Sequence, residues 1–251
     1  MSDILVSSAE GVTTIAFNRP DKKNAITAAM YGMMANALLA ADADAAIRAV
    51  LITGTPGCFT AGNDLQDFLA NPPSGTDSEV GSFLKALSTA RKPIVAAVTG
   101  VAVGVGTTLL LHCDLVYAAK SAKLSVPFVN LALVPEAASS LLLPRGIGNR
   151  RAAEMLLLGE PIDAATAAEW GLINAAVDDE ALAETALKAA RKLAAKAPQA
   201  LMQSKKLMKA KPEEIAAQMQ AEMQVFVAQL KSAEAREAMT AFFEKRPPKF
   251  A

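Results

Sequence analysis

The sequence predicts an α/β fold that ends in an all-helical region. Three observations carry this. Short apolar runs of strand length alternate with segments of helical period, as in chains that layer helices on a sheet. Gly, Pro and Asn clusters separate them. From Glu180 onward the pattern is helical throughout, interrupted by Pro198 and Pro212. The boundary this suggests divides residues 1–196, an α/β core, from residues 197–251, a helical region.

The elements follow in order. Ile4–Val6 and Val12–Phe17, around Ala9-Glu10-Gly11, predict a hairpin. Asn18-Arg19-Pro20-Asp21 breaks the second strand. Thr27 is an N-cap for a helix running to about Ala43. Ala49–Thr53 predicts a buried strand, Pro56-Gly57 a turn, and Ala61-Gly62-Asn63-Asp64 a turn that opens a short helix. Asn71 to Ser78 has the composition of a loop, either a solvated one or a lid over a pocket. Ile94–Val98 is the next strand. Gly100, Gly104 and Gly106 then lead into a helix carrying Leu109, Leu110 and Leu111. Leu115–Ala118 and Ile173–Val177 complete the strands, with a helix starting at Pro161-Ile162-Asp163-Ala164 between them. In the long stretch from Pro212 to Phe243, Ile215, Met219, Met223, Phe226 and Leu230 recur at helical spacing and predict a docking face.

The bulk composition limits the function. The 251 residues carry 25 basic and 25 acidic side chains, so nothing electrostatic favours nucleic acid as a partner. Hydrophobic residues make up 52% and aromatics only 5%, which implies an aliphatic core. Two cysteines, Cys58 and Cys113, are too few for a disulfide framework. No apolar run approaches a membrane span, and the N-terminus lacks a basic region followed by an apolar one. The ending Lys249-Phe250-Ala251 is not a peroxisomal address. A cytoplasmic protein without membrane contact is the expectation.

One carboxylate stands apart. Glu136 is the only charged residue between Leu124 and Leu143, apart from that flanking sequence wholly apolar or neutral. Burial there would disfavour its ionised form and raise its proton affinity into the range of a general base. Alternatively, following Pro135, it sits in the first turn of a helix, where the dipole favours an acid. Both readings fit this segment.

Two turns can present backbone donors. Gly100 to Gly106 lies after one predicted strand, and Phe59-Thr60-Ala61-Gly62-Asn63-Asp64 after another. Each starts a helix, where N–H groups have no helical acceptor. The first matches a dinucleotide fingerprint only superficially, since its spacing differs and the acidic ribose ligand is missing. Tight packing of helix on strand explains such glycines equally well. If the strands are adjacent and parallel, however, the turns can aim two N–H groups at one oxygen. Such an oxyanion donor is worth roughly 10²–10³ in rate.

Taken together and in order, a set of motifs resembles the crotonase superfamily of enoyl-CoA hydratases and isomerases across nearly the whole chain. They are Phe17-Asn18-Arg19-Pro20 with Lys23-Asn24-Ala25, Cys58 to Leu65, Lys92 to Val98, Gly104-Val105-Gly106 with Cys113-Asp114-Leu115, Leu143 to Gly148, Glu169 to Ile173, and Glu244 to Pro248. The resemblance implies a crotonase-type spiral of ββα repeats with a C-terminal helical trimerisation region, assembled as a homotrimer or a hexamer of two trimers. It implies an acyl-CoA thioester substrate that brings its own coenzyme A, with no metal and no other cofactor. By motif position the oxyanion-hole N–H groups are those of Asn63 and Val105. CoA contacts fall on Lys22, Lys23, Ala61, Asp64 and Leu65, although a solvated face is the plain alternative for the two lysines. Lys245 and Lys249 are further candidates for a CoA phosphate.

The departures from the family pattern matter most. Where hydratases of this family carry their two glutamates, this sequence has Thr108 and Phe128. Neither can act as an acid or base for adding water. Pro127-Phe128-Val129-Asn130-Leu131 and Pro135-Glu136-Ala137 instead resemble the Δ3,Δ2-enoyl-CoA isomerase branch, in which one glutamate at this position moves the proton. The chemistry agrees with that count. Hydration needs water activated while a proton reaches C2, a task two groups normally share. Moving a double bond from C3 to C2 needs one base. Thr108, Phe128, Leu131 and Leu133 are then expected around the acyl group. Hydration, another reaction of the superfamily, or non-catalytic acyl-CoA binding are the alternatives.

The remaining candidates have plain readings. His112, the single histidine, is expected to be packed or hydrogen-bonded, and Cys113 to fill apolar space. Asp114 is expected to hold a turn and Asp64 to cap a helix. Ser139 and Ser140 lack a histidine partner nearby in sequence for nucleophilic work.

Overall fold

The computed structural model describes residues 2–55, 57–72, 75, 78–209 and 211–250. The chain opens with the expected hairpin, β1 (Ile4–Ala9) against β2 (Val12–Phe17), closed by Glu10 and Gly11 at positive φ. After a turn of 3₁₀ helix at Pro20–Lys22, α1 (Ala28–Ala43) starts at Thr27, whose hydroxyl accepts the Met30 N–H. There follow β3 (Ala49–Thr53), α2 (Leu65–Ala70), α3 (Glu79–Thr89) and β4 (Ile94–Val98). Next come β5 (Val101–Val103), α4 (Val105–Thr108), β6 (Leu115–Ala119) and β7 (Lys123–Ser125). Then α5 (Ser139–Ile147), α6 (Asn149–Ala153), β8 (Ile162–Asp163), α7 (Ala164–Glu169) and β9 (Ala175–Val177) lead to α8 (Leu182–Ala194). The chain closes with α9 (Pro198–Met208), α10 (Pro212–Leu230) and α11 (Ala233–Phe243). Pro198 and Pro212 each stand at a helix start, where a missing N–H costs nothing.

The main sheet runs β1-β2-β3-β4-β6-β9 and is parallel from β2 onward. All five residues of β4 are buried, as expected of a central parallel strand. α8 crosses one side of the sheet and buries Leu182, Ala186 and Ala190. α1 and α3 pack together, with the Tyr31 and Phe83 rings 5.4 Å apart. A second, smaller sheet has the order β5-β7-β8, in which β5 follows β4 along the chain and β7 follows β6. Among the described residues, no helix is long and apolar enough to cross a membrane.

Three expectations need correction. The glycine segment does not run from strand straight to helix, because Val101–Val103 form β5, paired with Lys123–Ser125. The helix after it is only α4, continued by a 3₁₀ turn at Leu109–His112. Pro212–Phe243 is two helices rather than one, broken at Lys231–Ser232, with the Ser232 hydroxyl accepting the Ala235 N–H at 3.0 Å. The last strand begins at Ala175, because Asn174 is already spent on β6, with its N–H on Val116 O and its side chain accepting the Val116 N–H. Long-range partners decide the first and the last case, and local pattern does not register them; the break at Ser232 is a local cap. Of the loop proposed as a lid, Pro73, Ser74, Thr76 and Asp77 lie outside the described residues, as does Pro56 of the Pro56-Gly57 turn.

Asn24 ties the first turn of the chain to the turn after β3. It is fully buried, with φ of 54°. Its side-chain oxygen accepts the Arg19 N–H at 2.8 Å. Its amide donates to Cys58 O at 2.9 Å and Phe59 O at 3.1 Å. Replacing Asn24 with Ala removes the partner of two buried carbonyls and of the half-buried Arg19 N–H, and leaves a left-handed backbone without a residue that favours it. We expect Asn24→Ala to cost about 2–4 kcal/mol in urea unfolding; a loss below about 0.5 kcal/mol would show that these bonds are replaced by water.

Candidate active site

The parallel order β3-β4 brings the two turns together. Thr60 N–H donates to Val101 O at 3.0 Å, and Val103 N–H donates to Thr60 O at 3.0 Å, so the Phe59–Asp64 turn is stitched to β5. Gly62, at φ of 88°, fits because a Cβ would stand 2.8 Å from Val103 O. On the other side, Ile26 N–H donates to Gly62 O at 2.8 Å and Asp64 N–H to Ile26 O at 2.9 Å. These two bonds flank Asn63 and turn its own N–H away from Ile26, as in any parallel bridge. Val105 is the first residue of α4, entered through Gly104 at φ of 56°. Among the described residues, neither the Asn63 nor the Val105 N–H has a protein acceptor.

Both residues line one cleft of about 530 Å³. Lys22, Ala61, Asp64 and Leu65 line it as well, and so do Phe128, Leu131 and Leu133. Phe68, Phe226, Phe242 and Phe243, from α2, α10 and α11, extend its apolar wall. Asp64 caps α2 by accepting the Gln66 and Asp67 N–H groups, and it pairs with Arg19 at 2.7 Å. Burial pushes its carboxyl up, but Arg19 and the helix amides outweigh this and hold it below the usual range. A hollow of about 450 Å³ beside Cys113 and α5 contains neither amide. Lys23 is exposed and off the cleft wall, and Thr108 is fully buried behind that wall.

Thr108 leads to the carboxylate. Its hydroxyl donates to Glu136 Oε1 at 2.5 Å. Thr108 stands three residues after Val105 on α4, so the same short helix offers one N–H to the cleft and holds Glu136 through its last side chain. Glu136 is 7% exposed and sits in the turn before α5, outside the helix's first turn. Burial pushes its carboxyl up to about 7, with the Thr108 hydroxyl opposing and the Glu222 carboxylate adding to the rise. Tyr31, buried on α1, donates its hydroxyl to Asn63 Oδ1 at 2.5 Å. Burial and the nearby Glu136 hold that phenol well above its ordinary value, so it stays protonated and donating. Tyr31 thus links the residue of one cleft amide to the surroundings of the carboxylate.

The remaining candidates are structural. His112 is buried with Nε2 2.8 Å from Ala137 O, and burial lowers its imidazole to about 4, so it is neutral at pH 7. Cys113 packs half-buried against the core, its thiol held up at about 12 by burial. Asp114 does not cap a following turn: it accepts the Ile94 N–H at the start of β4 and pairs with Lys205 of α9 at 2.7 Å. Ser139 donates to Glu136 O at 2.6 Å, and Ser140 donates to Glu222. Lys249 N–H bonds Glu237, while Lys245 ends α11 at φ of 54°. Tyr31 and Glu222 were not legible as site residues. Tyr31 lies in the largely apolar α1 and Glu222 in α10, and only tertiary contact reveals their roles.

Comparison with known proteins places this geometry. The family model described as enoyl-CoA hydratase/isomerase matches residues 7–251. The chain is 36% identical over 260 residues to the 1,2-epoxyphenylacetyl-CoA isomerase of Escherichia coli K12, covering 100% of this chain and 99% of that one. It is 34% identical over 253 residues to the 2,3-dehydroadipyl-CoA hydratase of the same organism, with the same coverage. It is 39% identical over 159 residues to the mouse peroxisomal enoyl-CoA delta isomerase 3, which spans 61% of this chain and 50% of that protein. The crystal structure of an enoyl-CoA hydratase/isomerase from Pseudoalteromonas atlantica T6c superposes with a TM-score of 0.95 at 46% identity, each chain fully covered.

The raised carboxyl has a consequence for stability. The folded value of about 7 lies above the ordinary 4.5, so folding favours the neutral acid. That contribution is complete below the ordinary value and is lost as pH rises through about 7. We expect Glu136→Gln to leave stability near pH 4 unchanged and to raise it at pH 8 by roughly 2–3 kcal/mol. Urea unfolding across this range checks it; parallel stability curves for the two proteins would contradict the buried, neutral acid.

Proposed function

We propose that this chain, which belongs to the enoyl-CoA hydratase/isomerase family, is an acyl-CoA isomerase that moves a C=C bond from C3 to C2 with Glu136 as its only base. The observation that carries the reading is one buried carboxylate, perturbed towards neutral pH and held by Thr108 of the short helix that also supplies a free cleft amide. The second buried carboxylate, Glu222, is bound to the backbone N–H groups of Ala138 and Ser140 and is not free for chemistry. Thr108 and Phe128 stand where the hydratase acids would be.

The thioester oxygen lies between the N–H groups of Asn63 and Val105, and the acyl chain runs past Phe128, Leu131 and Leu133 towards Glu136. Lys22, Ala61, Asp64 and Leu65 meet the CoA portion at the mouth. Ionised Glu136 takes the C2 proton. The C2–H electron pair moves into a dienolate whose charge rests on the thioester oxygen, where the two amides stabilise it. The proton returns from Glu136 to C4, and the double bond now joins C2 and C3. Nothing is oxidised and no proton is lost overall. A carboxyl of about 7 suits both directions of transfer near neutral pH. The surrounding apolar side chains exclude the water that would compete for the dienolate. Exposed Leu157, Leu158, Leu207 and Met208 supply apolar surface for the trimer or pair of trimers that this reading includes.

The hydratase relative makes hydration the rival reading. Incubation with a 3-enoyl-CoA and a 2-enoyl-CoA in deuterated water separates them. Isomerisation of the 3-enoyl-CoA, with deuterium at C2 and C4 only to the extent that the Glu136 acid exchanges before transfer, and reduced about 10²–10⁴-fold in Glu136→Gln, is expected. Efficient hydration of the 2-enoyl-CoA would establish the rival, and turnover unchanged by Glu136→Gln would remove the glutamate from the chemistry.

A further inference from the structure

Helix α10 reaches the site through one side chain. Glu222 is buried, and its two oxygens are both engaged: Oε2 accepts the Ala138 N–H at 2.6 Å, while Oε1 accepts the Ser140 N–H at 3.0 Å and the Ser140 hydroxyl. Gln218, one turn earlier on α10, donates to Ser140 Oγ at 2.8 Å. The first N–H groups of a helix have no helical acceptor, and a local Ser, Thr, Asp or Asn normally takes one. The cap position of α5 is Ala138, which has no side chain to do so. A carboxylate from a helix more than eighty residues later in the chain fills that role.

The segment it holds is strained. Ala137 and Ala138 have φ of 58° and 57°, two consecutive left-handed alanines directly after Glu136. Each costs on the order of 1–2 kcal/mol and persists only where its surroundings impose it. Two contacts impose it here: His112 Nε2 on Ala137 O, and Glu222 on Ala138 and Ser140.

We propose that Glu222 is a positioning residue for Glu136: by clamping the Ala138 and Ser140 N–H groups it fixes the strained turn that follows Glu136 and so sets its carboxyl against Thr108 of α4. The inference rests on Glu136 being the base. It has an electrostatic corollary. The Glu222 charge opposes ionisation of Glu136 and so keeps it basic, in addition to burial and against the Thr108 hydrogen bond. The other titratable groups around Glu136 are silent near neutral pH. Tyr31 on α1 stays protonated, and His112 in the 3₁₀ turn stays neutral. Lys209 of α9 binds His112 O, and Arg145 of α5 is paired with Glu214 of α10.

The test uses the full-length protein with a 3-enoyl-CoA substrate and compares Glu222→Gln, Glu222→Asp and Glu136→Gln. Glutamine offers one acceptor oxygen to two N–H donors and carries no charge. With Glu222→Gln we expect KM within about twofold of the parent, kcat lower by about tenfold or more, and the acidic limb of the pH–rate profile moved about half a unit or more to lower pH. Glu222→Asp restores the charge and should return the acidic limb towards its parental position while kcat remains low. Parental kcat and an unmoved limb in a folded Glu222→Gln protein would overturn the proposal. So would a loss of kcat that tracks a lost melting transition, with the limb unmoved in Glu222→Asp and Glu222→Gln alike. Parental turnover in Glu136→Gln would overturn the base assignment itself, and this inference with it.

Discussion

The site depends on a dry carboxylate held by one hydroxyl. A buried Glu is costly unless it is protonated or hydrogen-bonded, and Glu136 approaches both conditions. The Thr108 hydroxyl accounts for one lone pair, and burial brings the proton within reach near neutral pH. With the residue only 7% exposed, bulk water does not satisfy the rest. The same features that destabilise the ionised form make it a competent base, a common exchange of stability for activity.

The rest of the fold supplies the opposing half of the site. Parallel pairing of β3 with β4 puts the Phe59–Asp64 turn beside β5, and the Thr60–Ala102 bridge fixes their spacing. Neither free amide depends on a side chain of its own. Their direction comes from bonds made by neighbouring residues, Ile26 for Asn63 and the start of α4 for Val105. The donors are therefore set in place before any ligand arrives, which is what gives an oxyanion hole its effect. Tyr31 couples the two halves, since its hydroxyl anchors the Asn63 side chain while its phenol responds to Glu136.

Most of the main sheet was readable because its strands are short apolar runs with no competing helical period. Thr27 and Asp64 were equally legible, since a cap is a local interaction. β5, β7 and β8 were not. They are two or three residues long, and their strand character comes wholly from partners elsewhere in the chain. The site divided in the same way. Glu136 was visible as an acid isolated in apolar sequence, and Asn63 and Val105 through the turns that carry them. Whether Glu136 is buried or begins a helix was decided only by the two left-handed alanines after it. Glu222 was not legible, because nothing in its own segment shows that Ala138 lacks a cap.

The most direct measurement is isotope-edited difference infrared spectroscopy of the Glu136 carboxyl, identified by its absence in Glu136→Gln. The account predicts an acid band that titrates near pH 7 and shifts when a saturated acyl-CoA occupies the cleft. A carboxyl that titrates near 4.5 and does not respond to the ligand would mean the side chain stands in water, with no part in the reaction.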